Sequence, residues 1–242
     1  MPVDLSITHD VQMVLISAGL TLVVFIAGAR VISASLVSGG RFGQLVEVMV
    51  EFVNESIVEE FLGEQGKKWF GFFAALFFFL LFANLLGKLP VPGLHSPTAN
   101  INVTAALAVM VFVLAQAVGV RKLGPFGYFK KKFLLQGAPW WVQPLAILIM
   151  PIVLLAEPFS LCVRLFANMA AGHMVILTFA TAPFIGGLYW FDQSLAAKPI
   201  AMLPFALSVA LTGFELFVAF IQAFIFALLA AVYLSESLEE HD

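Results

Sequence analysis

The chain has 242 residues, 62% of them apolar and only 11% charged, with a formal net charge of −3 and a mean hydropathy of +1.02. Soluble domains carry about a quarter charged residues, so a water-soluble globule of this composition would lack the polar surface to cover its core, and a bilayer must be part of its solvent. Soluble enzymes, nucleic-acid binders and disordered tails are excluded; the few scattered basic residues make no nucleic-acid footprint.

In chain order, residues 1–10 have neither a basic n-region nor a small-residue cleavage pattern, so the apolar run 11–29 reads as a retained first span and not a signal peptide. Next comes 43–61, where Glu47, Glu51, Glu55 and Glu59 recur every four residues against Val46, Val50, Val53, Ile57 and Phe61. This is the pattern of an amphipathic helix at the membrane surface. Its polar face is acidic, whereas a helix binding anionic lipid would be basic, which favours a protein partner for that face. Residues 69–120 form a hairpin of two spans, 69–87 and 101–120, each close to the roughly 20 residues that cross a bilayer. Pro90, Pro92 and Pro97 break the segment between them into a turn. The last two apolar runs, 142–191 and 199–234, are too long for straight perpendicular spans, so each either contains a break or is a long, tilted helix. No internal repeat of the kind that builds inverted-repeat transporters is evident.

Charge position then sets orientation. Lys and Arg gather at Arg30, Arg41, Lys67 and Lys68 and again at Arg121, Lys122, Lys130, Lys131 and Lys132, while the segment 87–100 carries only Lys88. The basic loops are expected to be cytoplasmic, the N-terminus outside and the acidic tail inside. The expected architecture is an all-α integral membrane protein. It has about five transmembrane helices plus one amphipathic surface helix, the last two long and strongly tilted as a hairpin, in a single domain over 1–242.

Four ionisable residues fall inside the long runs: Glu157, Arg164, His173 and Glu215. Each is a functional candidate, because placing a charge in hydrocarbon costs at least about 2.5–3.5 kcal/mol. Glu157 also reads as a buried ion-pair partner of Arg164, or as a residue snorkelling to the interface. At about 3.6 residues per turn, Glu157, Ser160, Arg164 and Asn168 share one face, and His173 lies about half a turn away from it. Ser208, Glu215 and Gln222 share a face of the last helix, which Tyr233 continues. A histidine and a carboxylate can relay protons through water. Arg164 keeps its proton; it can hold a facing carboxylate ionised and bar a proton leak. The chain has no spare intramembrane Asp, so a mobile carboxylate must come from a partner. The single Cys162 excludes a disulfide scaffold or Cys-rich metal site and reads as a packing residue. No metal or cofactor is called for. A proton-coupled secondary transporter or self-contained channel is the competing reading. An intramembrane enzyme lacks an HExxH motif, an intramembrane Asp pair and a Gly-x-Ser-x-Gly elbow.

The run Ser160-Leu161-Cys162-Val163-Arg164-Leu165-Phe166-Ala167-Asn168-Met169-Ala170-Ala171-Gly172-His173 and the run Gln222-Ala223-Phe224-Ile225-Phe226, leading to Tyr233-Leu234-Ser235, resemble subunit a of the F-type ATP synthase. Asn84-Leu85-Leu86-Gly87 before Pro90 and Asn102-Val103-Thr104 add to the resemblance, which covers nearly the whole chain. It implies that Arg164 is the essential stator arginine facing the carboxylates of a rotating c-subunit ring, with Asn168 and Gln222 close by. It implies an exterior proton half-channel lined by His173, Glu215, Asn102 and Asn84. A cytoplasmic half-channel would be lined by Glu157, Ser160 and Tyr233. Partners would be the c-ring, the b-type peripheral stalk, other synthase subunits and the lipid bilayer. The setting would be the bacterial inner membrane, or alternatively the mitochondrial one. The chain departs from many bacterial members in two ways. His173 and Glu215 stand exchanged, as in mitochondrial-type members, and Ala167 replaces a frequent glycine.

Overall fold

The computed structural model describes residues 9–34, 41–88, 96–134, 139–190 and 198–238, and among these the regular structure is helical with no strand. The first span is α1 (His9–Ala34). Helix α2 (Arg41–Val53) continues through a π-helical stretch, Asn54–Glu59, into the short α3 (Glu60–Leu62) and a 3-10 segment, Gly63–Lys68. Then come α4 (Phe70–Leu86), a 3-10 turn at Pro97–Ala99, α5 (Ile101–Phe133), α6 (Gln143–Trp190) and α7 (Lys198–Leu238). Four helices carry stretches long and apolar enough to cross a membrane: His9–Gly28, Ile101–Lys130, Gln143–Gly172 and Val209–Leu238. Helix α4 is a shorter apolar helix of 17 residues. This is an all-α integral membrane protein.

Helix α4 is apolar on every side, and a helix of that kind is stable only when surrounded. Phe73, Phe77 and Leu80 are fully buried, and α1 and α7 pack against α4. From α7, Ala223, Ala227, Ala230 and Ala231 enter the same core. Their spacing puts small side chains on one face, which lets neighbouring backbones approach closely.

The amphipathic pattern at 43–61 is realised as α2 and its continuation. Val46, Val53 and Ile57 are buried, Val50 and Phe61 partly so, and Glu47, Glu51, Glu55 and Glu59 are exposed. The apolar face is covered by the chain itself. The Phe52 ring sits 6.4 Å from that of Phe77 in α4 and 5.2 Å from that of Phe224 in α7.

Beyond the expected 101–120, α5 continues across a sharp kink. Gly124 has φ 73° and ψ 159°, non-helical values next to Pro125, in a region of backbone space essentially reserved for glycine. Past this kink Tyr128 is buried, and its hydroxyl donates to Gln116 Oε1 at 2.7 Å, tying the two arms of α5 together. The kink brings the second arm toward α6 and α7.

The two overlong apolar runs are unbroken helices of 48 and 41 residues. At about 1.5 Å per residue they measure about 72 and 62 Å, roughly twice a hydrocarbon core of about 30 Å. Pro151 and Pro158 lie inside α6 without ending it. Packed together, α6 and α7 carry most of the polar residues singled out in the sequence.

Candidate functional site

Lys88 follows the last turn of α4, where its backbone N–H donates to the Leu85 carbonyl at 2.9 Å. Its side chain does not point away as the lone charge of an exterior loop. Nζ donates to Glu215 Oε2 at 2.7 Å, with the two side chains only 4% and 9% exposed. Placing an ammonium among apolar helices is tolerable only beside an opposite charge, and Glu215 supplies it. Gly172 of α6 forms the third wall. A Cβ there would stand 2.7 Å from Lys88 Nζ and 3.2 Å from Glu215 Cδ, so the pair occupies the room that glycine leaves.

One turn earlier on α4, Asn84 is fully buried and bridges two elements. Its Nδ2 donates to the Ala219 carbonyl of α7 at 3.3 Å, and its Oδ1 accepts from Thr98 Oγ1 at 2.8 Å. Ser96 Oγ lies 2.6 Å from Thr98 Oγ1 and donates to the Ala83 carbonyl at 2.9 Å. Ala219 is one turn beyond Glu215, so Ser96, Thr98, Asn84, Lys88 and Glu215 form a continuous polar seam between α4 and α7. Every buried group named in it has a partner, as burial requires.

About 12 Å along α6 from Gly172, Arg164 is exposed. Among the described residues it forms no ion pair within the chain. It stands on an uncovered face. Ala156, Ser160, Ala167 and Ala171 are exposed at the spacing of one helical stripe, flanked by exposed Leu155, Phe159 and Val163. Phe214 and Phe217 are likewise exposed on α7. A permanent cation on an apolar face is costly in hydrocarbon without a counter-charge or water, and the small residues of the stripe let a neighbouring element approach closely. Beside it, Asn168 Nδ2 meets Gln222 Oε1 at 3.5 Å, and Gln222 is buried against α6.

In the opposite direction, Glu157 is one charge of a looser cluster. Lys132, in the second arm of α5, lies 3.8 Å from Glu157 and 3.7 Å from Glu236 of α7, with side chains 18%, 13% and 53% exposed, respectively. The reading of Glu157 as an ion-pair partner of Arg164 gives way to this: its nearest cation is Lys132, which the kink at Gly124 brings within reach. Tyr233 lies within electrostatic range of Glu157, Arg164 and Glu236, which joins it to this end.

The structure therefore draws the sequence-singled residues into three groups along α6 and α7: Asn84 of α4 one turn from Glu215, Arg164 with Asn168 and Gln222, and Glu157 with Tyr233. Ser160 is exposed on the Arg164 stripe. Asn102 is exposed at the start of α5, its backbone N–H capped by Asn100 Oδ1 at 2.9 Å, apart from the seam. His173 directly follows Gly172 on α6, but its side chain, like that of Ser208, lies outside the described residues. Sequence reasoning missed Lys88 and Lys132. Lys88 had a usable signal, its place as the one Lys or Arg of segment 87–100, directly after the apolar run of α4. Lys132 had none, since it sits in a basic run indistinguishable from topology-setting charge.

Residues 11–235 match the family model described as ATP synthase A chain. Among similar curated proteins, ATP synthase subunit a of Granulibacter bethesdensis is 42% identical over 204 residues, covering 84% of this chain and 77% of that one. Its counterpart from Gluconobacter oxydans is 39% identical over 224 residues, covering 92% and 85%. That of Rhizobium rhizogenes is 42% identical over 207 residues, covering 85% and 78%.

Proposed function

The chain belongs to the ATP synthase A chain family, and from that premise we propose that it is the stator wall of the Fo proton channel, working against a rotating c-subunit ring through two offset half-channels. It is a proton-translocating subunit of the rotary complex and not a catalyst by itself. Its apolar helices and bacterial relatives fit a multi-pass protein of the bacterial inner membrane. Its residues 1–242 act as one membrane domain.

In this reading a proton enters from the exterior past His173 and Glu215, with Asn84 and Asn102 lining the way, and neutralises a carboxylate on the ring. The neutral site can then move into lipid, where a charged one could not. After nearly a full rotation the site releases its proton toward Glu157, Ser160 and Tyr233 and the cytoplasm. Arg164, with Asn168 and Gln222 beside it, faces the ring carboxylate between the two openings and bars a direct short circuit. One charge crossing 100 mV releases about 2.3 kcal/mol to drive each step. The acidic face Glu47, Glu51, Glu55 and Glu59, exposed on α2 and its continuation, is the surface offered to the b-type stalk.

The observation that carries this reading is Arg164, a permanent cation exposed on a small-residue apolar stripe, with no ion pair among the described residues of its own chain. The test is Arg164→Ala in the assembled complex. Coupled ATP synthesis should be lost while a passive proton leak appears in the presence of the c-ring; retained coupled synthesis overturns the reading.

A further inference from the structure

We propose that Lys88 is a positioning residue of the exterior half-channel: its ammonium, clamped between Glu215 and Gly172, fixes the Glu215 carboxylate by charge and hydrogen bond so that it is aimed where it can receive the incoming proton. The inference rests on the half-channel reading above and adds to it a residue from the turn after α4. The Nζ–Oε2 distance of 2.7 Å and the burial of both side chains make this the tightest and driest ion pair among the described residues.

Three features set it apart from a pair that only fastens helices. First, it sits on the carboxylate that the proton path uses, at the interface of α6 and α7 and not at a rim. Second, Gly172 leaves open the space the pair occupies, a Cβ there standing 2.7 Å from Lys88 Nζ and 3.2 Å from Glu215 Cδ, and among the described residues Lys88 is the cation paired with Glu215. Third, the pair continues the Ser96–Thr98–Asn84 network, whose other end is the Ala219 carbonyl one turn along the same helix. The seam thus presents an ordered row of polar groups ending on one oriented carboxylate.

The experiment uses the complete synthase in inverted membrane vesicles, with passive proton conduction through the stripped membrane sector and ATP-driven acidification each normalised to assembled chain. Lys88→Gln keeps a hydrogen-bond donor for Glu215 without the charge, Lys88→Met keeps neither, and Lys88→Arg keeps both. Conduction should fall at least tenfold in Lys88→Gln and Lys88→Met complexes that still assemble, and stay above half of wild type in Lys88→Arg. Conduction within twofold of wild type in either assembled neutral variant overturns the proposal. So does the absence of both neutral variants from the membrane, which marks the pair as a structural fastener. The half-channel reading is tested separately by Glu215→Gln: an assembled Glu215→Gln complex that pumps normally removes that reading whatever the Lys88 variants do.

Discussion

Two ion-pair clusters flank Arg164 along α6, and they are built in opposite ways. Near Gly172, Lys88 and Glu215 meet at 2.7 Å with both side chains buried. Near Glu157, one lysine is shared between two acids at 3.8 and 3.7 Å, with Glu236 more than half exposed. A tight, desolvated pair holds one charge state and one geometry, because breaking it strands a charge in low dielectric. A shared, partly hydrated cation lets its acids exchange partners at little cost. Under the proposed half-channel reading, the first design fixes the position of the entry carboxylate and the second leaves the exit side free to exchange partners.

That contrast can be broken most decisively at Glu215. Replacing Glu215 by Gln leaves Lys88 buried without a counter-charge, and the complex should lose about 3–5 kcal/mol, seen as reduced recovery and a lower unfolding temperature in detergent. Gly172→Ala attacks the same pair from the third side: the new methyl meets Nζ and Glu215. Overpacking of this kind costs about 1–3 kcal/mol, and proton conduction should fall while assembly persists; unchanged conduction would show that the seam can shift without consequence. At the other cluster, Gly124→Ala forces a side chain into a backbone conformation that costs about 1–3 kcal/mol. It should loosen the second arm of α5, read out as faster amide exchange around Tyr128 and Lys132. The smallest effect is expected from Lys132→Met, below about 1 kcal/mol in stability. A loss there as large as that of Glu215→Gln would erase the distinction between the clusters.

Much of the architecture was legible because hydrophobic periodicity and charge scarcity are local signals. The boundaries of α4 and of the amphipathic segment fall within a residue or two of the runs that predict them, and the Arg164–Asn168 face follows from helical spacing alone. Two things were not legible. The continuation of α5 past Val120 was hidden because basic residues read as loop, although Gly124-Pro125 marks a change of direction and Tyr128 can pack back across it. The partners of Glu215 and Glu157 were hidden because an ion pair joins residues that spacing along one helix cannot relate. Lys88 and Glu215 are 127 residues apart, and no periodicity connects them.

By itself, the sequence determined that this chain lives in a bilayer, that it spans it with helices, and that a permanent cation, Arg164, stands inside a long apolar run, since all three follow from counting where charges fall. Only the tertiary structure decided which cation each intramembrane acid keeps. That choice depends on where the turn after α4 and the kinked arm of α5 deliver their lysines against α6 and α7. Coulombic attraction in low dielectric acts over a few ångströms of space, irrespective of distance along the chain.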